Sequence, residues 1–527
     1  MSFLREVRAG GAQPHARPRV IVAPAAATVK DCLCRARGQG RGEPRRGGTD
    51  STAARRPRLG AEVADGYYHE SVSAPMRRIL DFLRLDDLPP LTRPNYLAEL
   101  RQIPLWGVVL GTVEASLVSV VASKTFGASP LLTTIVWAIP VVMNLLNLVW
   151  GALLRGRRRK PAFLLLVACG SVAVGSVGLT SADWRPWGGW LFAAQIALVH
   201  FFVSGLVTLR TTMWQVNYPV THRGRIAGRL QTLQLLLAAI ASLLLSLLYD
   251  RDPLAYRFVY PLVGLIGLAS LLPIRRLHMR GEQRELRRFE MYLRQVNHGR
   301  SQRGLGIWSA LREAVGILRS DKLFARYMLA QFLLGSSNFF TDPFLVNVLS
   351  KDLAFDYFTC QALMFLIPTA VLLLSIRFWA AFFDRVGVLG FRMHNSAVWV
   401  ISYAAAAVAL LLLAIGGRAW LLVALPVLIV GRVFNGLGSA GGKIAWNLGH
   451  LYFAREHQTE LYMGIHVGLT GVRGLIMPLL GLLAGRAFGY GALLIAVGLG
   501  LVAHALFRRM LAGSERPAAG QPGAAAR

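Results

Sequence analysis

Glu114 stands about midway along an apolar run, Leu105 to Ala122, where a charge is costly unless it meets water or a partner. Desolvation raises the proton affinity of such a carboxylate and a nearby cation lowers it, which is the chemistry of a proton-coupling group; a structural salt bridge between helices would use the same position. Arg432 and Arg473 fall at comparable depth in two later runs, and Arg210 lies nearer the end of another. An inward-facing guanidinium can hold a carboxylate or phosphate through two parallel hydrogen bonds, so these arginines suit an anionic or zwitterionic solute. Bonding from helix to helix is the alternative for Arg432 and Arg473, while Arg377 and Lys443 sit close enough to helix ends to snorkel. His200 and His466 can relay protons near neutral pH or simply pack. Asn144, Asn147, Asn338 and Asp342 offer hydrogen-bonding groups along a pathway, with Asp342 near enough to the outer end to be wet, and Phe339, Phe340 and Phe344 read as core. Paired catalytic carboxylates, a nucleophile beside a base and a metal-ligand cluster are all missing from the pattern, so the expectation is a protein that is not an enzyme and needs no cofactor.

The elements that must position these residues are apolar runs long enough to cross a hydrocarbon core about 30 Å thick. After the first come Leu131 to Leu154, Ala162 to Leu179, Trp190 to Leu209, Leu230 to Leu248 and Phe258 to Pro273. Tyr327 to Leu349, Phe358 to Ile376, Ala397 to Ile415, Trp420 to Val433, Val467 to Ala484 and Ala492 to Leu506 bring the total to about twelve. A hydrophobic content of 54% and a mean hydropathy of +0.46 agree with one large membrane domain. Buried helices of a soluble protein would carry polar faces at helical spacing, and these runs have almost none.

A net charge of +31 would suit nucleic acid were it spread over one face, but it is confined to alternate loops. Arg155, Arg157, Arg158, Arg159 and Lys160 crowd one loop and Arg223, Arg225 and Arg229 another, while the opposite loops are nearly balanced. The positive-inside bias therefore predicts an inner-membrane protein with both termini in the cytoplasm, and no nucleic-acid partner. Cys32, Cys34, Cys169 and Cys360 make neither a disulfide framework nor a zinc site.

Residues 1–95 are rich in Arg, Gly, Ala and Pro without periodicity and read as a disordered basic arm, able to touch anionic lipid, or as the product of a start placed too early, with Met76 as the alternative first residue. Residues 275–326 form the long connection between the sixth and seventh runs, dividing 98–274 from 327–510, and 511–527 read as a disordered cytoplasmic tail. Within the connection, Glu282 to Gln295 suits a solvated helix. Ile307, Trp308, Leu311, Val315 and Leu318 recur at helical spacing and predict a helix lying in the membrane interface or packed on the bundles.

The two halves repeat one another. Asp384-Arg385-Val386-Gly387 ends the second run of the later half, and a basic counterpart between Gly151 and Lys160 ends the second run of the earlier half about 230 residues before. Trp214-Gln215-Val216-Asn217 ends the fourth run and Trp446-Asn447-Leu448-Gly449 the tenth, each followed by a glycine, Gly228 or Gly464, expected to allow close helix approach. The stretch Gly436 to Lys443 mimics a phosphate-binding loop but carries Ile444 where Ser or Thr is needed and lies inside an apolar run.

Over roughly residues 98–510 the chain resembles the major facilitator superfamily (MFS), whose signature after the second helix of each half reads Gly-x-Leu-x-Asp-Arg-x-Gly-Arg-Lys/Arg. Ala380, Phe382, Asp384, Arg385 and Gly387 fall on it in the second half, and Gly151, Leu153, Arg159 and Lys160 in the first, where Arg155 replaces the acid and Arg158 the second glycine. The resemblance implies an all-α membrane protein of about twelve transmembrane helices in two pseudo-symmetric six-helix bundles. It further implies secondary transport of a small solute by alternating access, with these turns helping to lock the cytoplasmic gate. On that reading Glu114 is the proton-coupling candidate, and Arg432, Arg473, Arg210, His200, His466, Asn144 and Asn338 are the cavity candidates. A membrane sensor or scaffold that keeps the fold without transporting is the alternative.

Overall fold

The computed structural model describes residues 88–515, apart from 155–156, 280, 285, 288–290, 292–306 and 455–458. The expected arm through residue 87, Arg155, most of the solvated helix in the connection and the tail beyond residue 515 lie outside the described residues. The described chain is helical, and its apolar helices make it a multi-pass membrane protein.

Seven stretches are long and apolar enough to cross a membrane, and a bent pair, Arg93–Thr112 with Ala115–Lys124, makes an eighth. Two of the seven are too long for one crossing. Tyr357–Leu448 runs for 92 residues and Tyr462–Gly513 for 52, where one crossing takes about 20. The first is divided at Gly387, whose φ of 66° lies in the left-handed region open to glycine, and again at the turn Gly417–Trp420. Gly489–Ala492 divides the second. With Lys322–Asn347 the chain makes twelve crossings, numbered here as spans 1 to 12 in chain order.

Several helices outrun their apolar runs. Span 4 continues to Asn217, span 5 begins at Val220, and span 10 extends to Leu448, because their polar ends stay wound while packed on neighbours. The fold also starts earlier than residue 98: Leu88 is buried against Tyr96, Ile103, Trp214 and Tyr218, and Asn95 exchanges two hydrogen bonds of 2.8 Å with the backbone of His278 after span 6. At the other terminus the last helix, Leu493–Glu515, takes in the first residues of the expected tail.

Close packing comes from small residues other than those expected. A Cβ on Gly107 or Gly111 in span 1 would meet the span 5 residues Leu237 and Ala238, one turn apart. Gly436, Gly438 and Gly441 pack on Pro368, Trp399 and Asn395, so the glycines of the phosphate-loop mimic serve helix contact. Gly228 and Gly464 have no described atom within 4 Å of their Cβ positions, which corrects the expectation of close approach there. The helix Ile307–Ser320 packs through Ala314, Ile317 and Leu318 on a cluster containing Phe324 and Tyr327, while Val315 is exposed.

Candidate functional site: a cavity between the halves

Span 1 breaks where its carboxylate sits. Glu114 is extended (ψ 138°) and caps Ala115–Lys124, its Oε2 accepting from the backbone N–H of Ser116 and Leu117 at 3.0 and 3.1 Å and from the Ser116 hydroxyl. The two parts of the span are bent by 41°. The break frees the Val113 carbonyl, which accepts a 3.1 Å bond from Nε2 of buried His200. On its other side Glu114 Oε2 accepts from Gln361 Nε2 of span 8 at 2.9 Å, and Gln361 also donates to Ser242 of span 5 at 2.6 Å. One side chain thus joins the break to the second half.

Beyond this link, toward the ends of spans 1 and 7, the halves are fastened together. Ser123 Oγ and Ser350 Oγ lie 2.9 Å apart, Lys124 Nζ donates to the Phe355 carbonyl at 2.7 Å, and Lys351 Nζ donates to the Ala128 carbonyl. Thr125 meets the Tyr357 hydroxyl at 2.8 Å, and Asp250 accepts from the backbone N–H of Tyr357 and Phe358 at 2.5 and 2.9 Å, capping span 8 from the other half. Val120, Val121, Val346 and Leu349 belong to one buried cluster at this end.

On the other side of Glu114 the halves part around a cavity of about 650 Å³. Spans 1 and 5 line it with Leu110, Glu114, Gln231, Gln234 and Ala238; span 7 adds Gln331, Gly335, Asn338 and Phe339. Spans 9, 10 and 11 supply Arg392, Trp399, Tyr403, Lys443, Trp446 and Arg473. Lys443 and Asn447 are exposed, and they lie at the end of span 10 away from the fastening. The charged lining is therefore one carboxylate on the first half and three cations on the second.

Of the sequence candidates, Glu114, Arg473 and Asn338 come together in this cavity. Arg473 is 6% exposed, donates to the Gln331 carbonyl at 2.8 Å and the Thr470 hydroxyl at 3.2 Å, and lies 5.2 Å from the centre of the Phe339 ring. Arg432 does not reach the cavity. Its three donors go to Asp342 at 2.9 Å and to the carbonyls of Leu363 and Met364 at 2.7 and 3.0 Å, which lie in a π-helical turn, Ala362–Leu366. Asp342 is accordingly not a wet residue near the outer end but half of a buried ion pair.

Arg210 donates to Gln234 and Gln102 at 2.6 and 2.8 Å and lies 3.9 Å from Glu99, holding spans 1, 4 and 5 together. Glu99, 3% exposed, also accepts from Trp214 and Tyr218 at 2.7 and 2.6 Å, so the buried carboxylate of span 1 is one that the sequence reading passed over, while Glu114 is only partly buried. His466 is buried with neither ring nitrogen partnered, beside Trp446 and stacked toward His450. Asn144 lies in the short turn Asn144–Leu146 against span 11, outside the cavity lining. Arg392 was missed in sequence because it stands between Gly387 and the next apolar run, in what read as a loop; a basic residue just after a helix-opening glycine is the signal that could have found it.

The signature turns sit at the end opposite the fastening. Gly387 makes the turn between spans 8 and 9, while Asp384 and Arg385 are exposed in the helix that ends there. In the first half the backbone N–H of Arg159 is capped by Glu282 of the connection at 2.5 Å, and Lys160 follows it in span 3. Gly151 has no described atom within 4 Å of its Cβ position.

Twelve crossings with a cavity between two sets of six are the fold of MFS transporters. The chain is similar to the xylose transporter XylE from E. coli in its inward-open conformation, at 11% identity and a TM-score of 0.57 over 79% of this chain and 96% of that one. It is similar to a D-xylose-proton symporter at 13% identity and a TM-score of 0.54 over 80% and 97%. A POT family transporter in complex with 5-aminolevulinic acid matches at 15% and 0.53 over 79% and 96%. No protein-family model matches the sequence, and no curated protein does.

Proposed function

We propose that this chain is a secondary transporter that carries a small anionic or zwitterionic solute across the membrane by alternating access, with proton coupling through Glu114. The observation that carries this reading is a cavity of about 650 Å³ between the halves, with the cross-half hydrogen bonds among the described residues gathered at Glu114 and on one side of it. A volume of that size suits a small organic molecule. The similar structures include a D-xylose-proton symporter and a xylose transporter in an inward-open conformation, which supports transport and the same open side here. The basic loops lie at the open end, so that end faces the cytoplasm of an inner-membrane protein with both termini inside.

Glu114 fits the coupling role because its charge holds three connections: the cap of a broken span, a cavity wall and the link to Gln361. Protonation weakens the carboxylate as an acceptor of all these bonds and so loosens the link between the halves. In proteoliposomes, Glu114→Gln is expected to abolish uptake driven by a pH gradient; unchanged gradient-driven uptake removes Glu114 from the mechanism. Substrate-dependent labelling of cysteines on both sides of the cavity tests transport itself, and labelling confined to one side under every condition overturns it.

A further inference from the structure

Building on the transporter reading, we propose that the cavity selects a small hydroxylated organic anion and seats its carboxylate or phosphate on the second half of the chain, against Arg473 and Arg392. Both arginines are buried, at 6% and 1% exposure, and among the described residues neither has a carboxylate within ion-pairing distance. Arg473 contacts a carbonyl, a hydroxyl and the face of the Phe339 ring, Arg392 contacts the Asn395 amide oxygen at 3.0 Å and lies 5.6 Å from the centre of the Phe507 ring, and the Nε of each has no hydrogen-bond partner. A buried cation without a counter-charge is costly, and the same protein sets two other inward guanidiniums beside carboxylates, Arg432 with Asp342 and Arg210 with Glu99. Gly335 leaves the room that the Arg473 guanidinium occupies: a Cβ at position 335 would overlap it and displace it.

The single carboxylate in the lining does not reverse this balance. Glu114 Oε2 already accepts from Ser116, Leu117 and Gln361, so much of its charge is met within the protein, and a cationic solute gains less there than an anion gains at two arginines and Lys443. Hydroxyl groups on the solute answer the rest of the lining. Gln331 Oε1 and Asn338 Oδ1 are buried acceptors without partners, Gln231, Gln234 and Asn447 add amides, and Trp399 and Tyr403 stack at 5.6 Å to give a flat wall. Amides with ring faces suit a molecule bearing hydroxyls over a carbon skeleton; an apolar anion would leave the amides unsatisfied.

The test is counterflow uptake into proteoliposomes holding the full chain, with four labelled probes: D-gluconate, glycerol 3-phosphate, D-glucose and D-glucosamine. Uptake of either anion but not of glucose or glucosamine is the expected result, with Arg473→Gln and Arg392→Gln each lowering it by about tenfold, the loss of about one charge-assisted hydrogen bond. Arg473→Lys, which keeps the charge, is expected to retain part of the uptake and so separates loss of the anion seat from loss of the fold. Uptake of glucose or glucosamine in preference to the anions overturns the anion assignment and leaves the transporter reading standing. Uptake of none of the four overturns the assignment, and if cysteine labelling is also confined to one side, transport fails with it. Anion uptake undiminished in both glutamine variants places the anion elsewhere and overturns the seat.

Discussion

Ser123 and Ser350 touch across the two halves at 2.9 Å, 227 residues apart, and each is followed by a lysine that donates to a carbonyl of the opposite half. The carbonyl that accepts from Lys124 belongs to Phe355, four residues beyond Lys351, and the one that accepts from Lys351 belongs to Ala128, four residues beyond Lys124. The contact is therefore self-complementary in the manner of a two-fold interface, although both sides come from one chain. Duplication of a Ser-Lys dipeptide at the ends of spans 1 and 7 has made a fastening in which each half supplies a donor and an acceptor.

Removing either lysine should open this end. A hydrogen bond from a charged donor contributes about 1.5–3 kcal/mol, so Lys124→Ala or Lys351→Ala is expected to raise the open population by about ten- to a hundredfold. Cys360 reports it, because it is fully buried beside the fastening. In a chain with Cys32, Cys34 and Cys169 changed to serine, maleimide labelling of Cys360 should speed up by about that factor in both variants, given their equivalent roles. An unchanged labelling rate in both would show that the lysines do not hold the end closed.

Glu114 should be separable into a cap and a charge. Glu114→Ala removes the acceptor for two backbone N–H groups at the break in span 1 and strands Gln361, at a cost of about 1 kcal/mol for the cap alone. Glu114→Gln keeps an acceptor oxygen. Melting in detergent should therefore fall measurably for alanine and much less for glutamine; equal melting points would mean that the cap contributes nothing to the fold.

The crossings were legible in sequence because a bilayer demands about 20 apolar residues in a row and few other structures tolerate them. Helix ends were not, because the polar ends of spans 4, 5, 9 and 10 are wound by packing, and at the start of span 9 this hid Arg392 in an assumed loop. Which way a buried side chain turns was not legible: Glu114 read as a carboxylate midway along one unbroken run, whereas the run breaks there and the carboxylate caps the helix that follows. Arg432 and Arg473 look alike in sequence. Their fates differ because Asp342 is aligned with one and Gly335 with the other, and that depends on the rotation of span 7 about its axis, which a nearly uniform apolar run does not encode.

The two signature glycines should respond in opposite directions. Gly387 sits at φ 66° and ψ 179°, a region essentially closed to any residue with a β-carbon, so Gly387→Ala and Gly387→Asn should each cost about 1–3 kcal/mol. Gly151 is helical and exposed with nothing within 4 Å, so Gly151→Ala should be neutral or stabilise by about 0.5–1 kcal/mol. Thermal unfolding of the three variants checks this, and a loss at position 151 as large as at 387 would mean that the first-half turn has a constraint of its own.

Arg432 and Arg473 should separate stability from solute recognition. Arg432→Gln leaves Asp342 charged in a buried site and strips two carbonyls of the π-helical turn, so it should cost about 3–5 kcal/mol, much of it regained when Asp342→Asn is added. Arg473→Gln removes a cation that has no carboxylate partner, so the fold should lose less while solute uptake loses more. The comparison is made by measuring melting temperature and uptake on the same four preparations: the parent chain, Arg432→Gln, the Arg432→Gln and Asp342→Asn double variant, and Arg473→Gln. If Arg473→Gln lowers melting as far as Arg432→Gln and the double variant recovers nothing, both arginines serve as internal struts, and the contrast between a paired and an unpaired guanidinium carries no functional meaning.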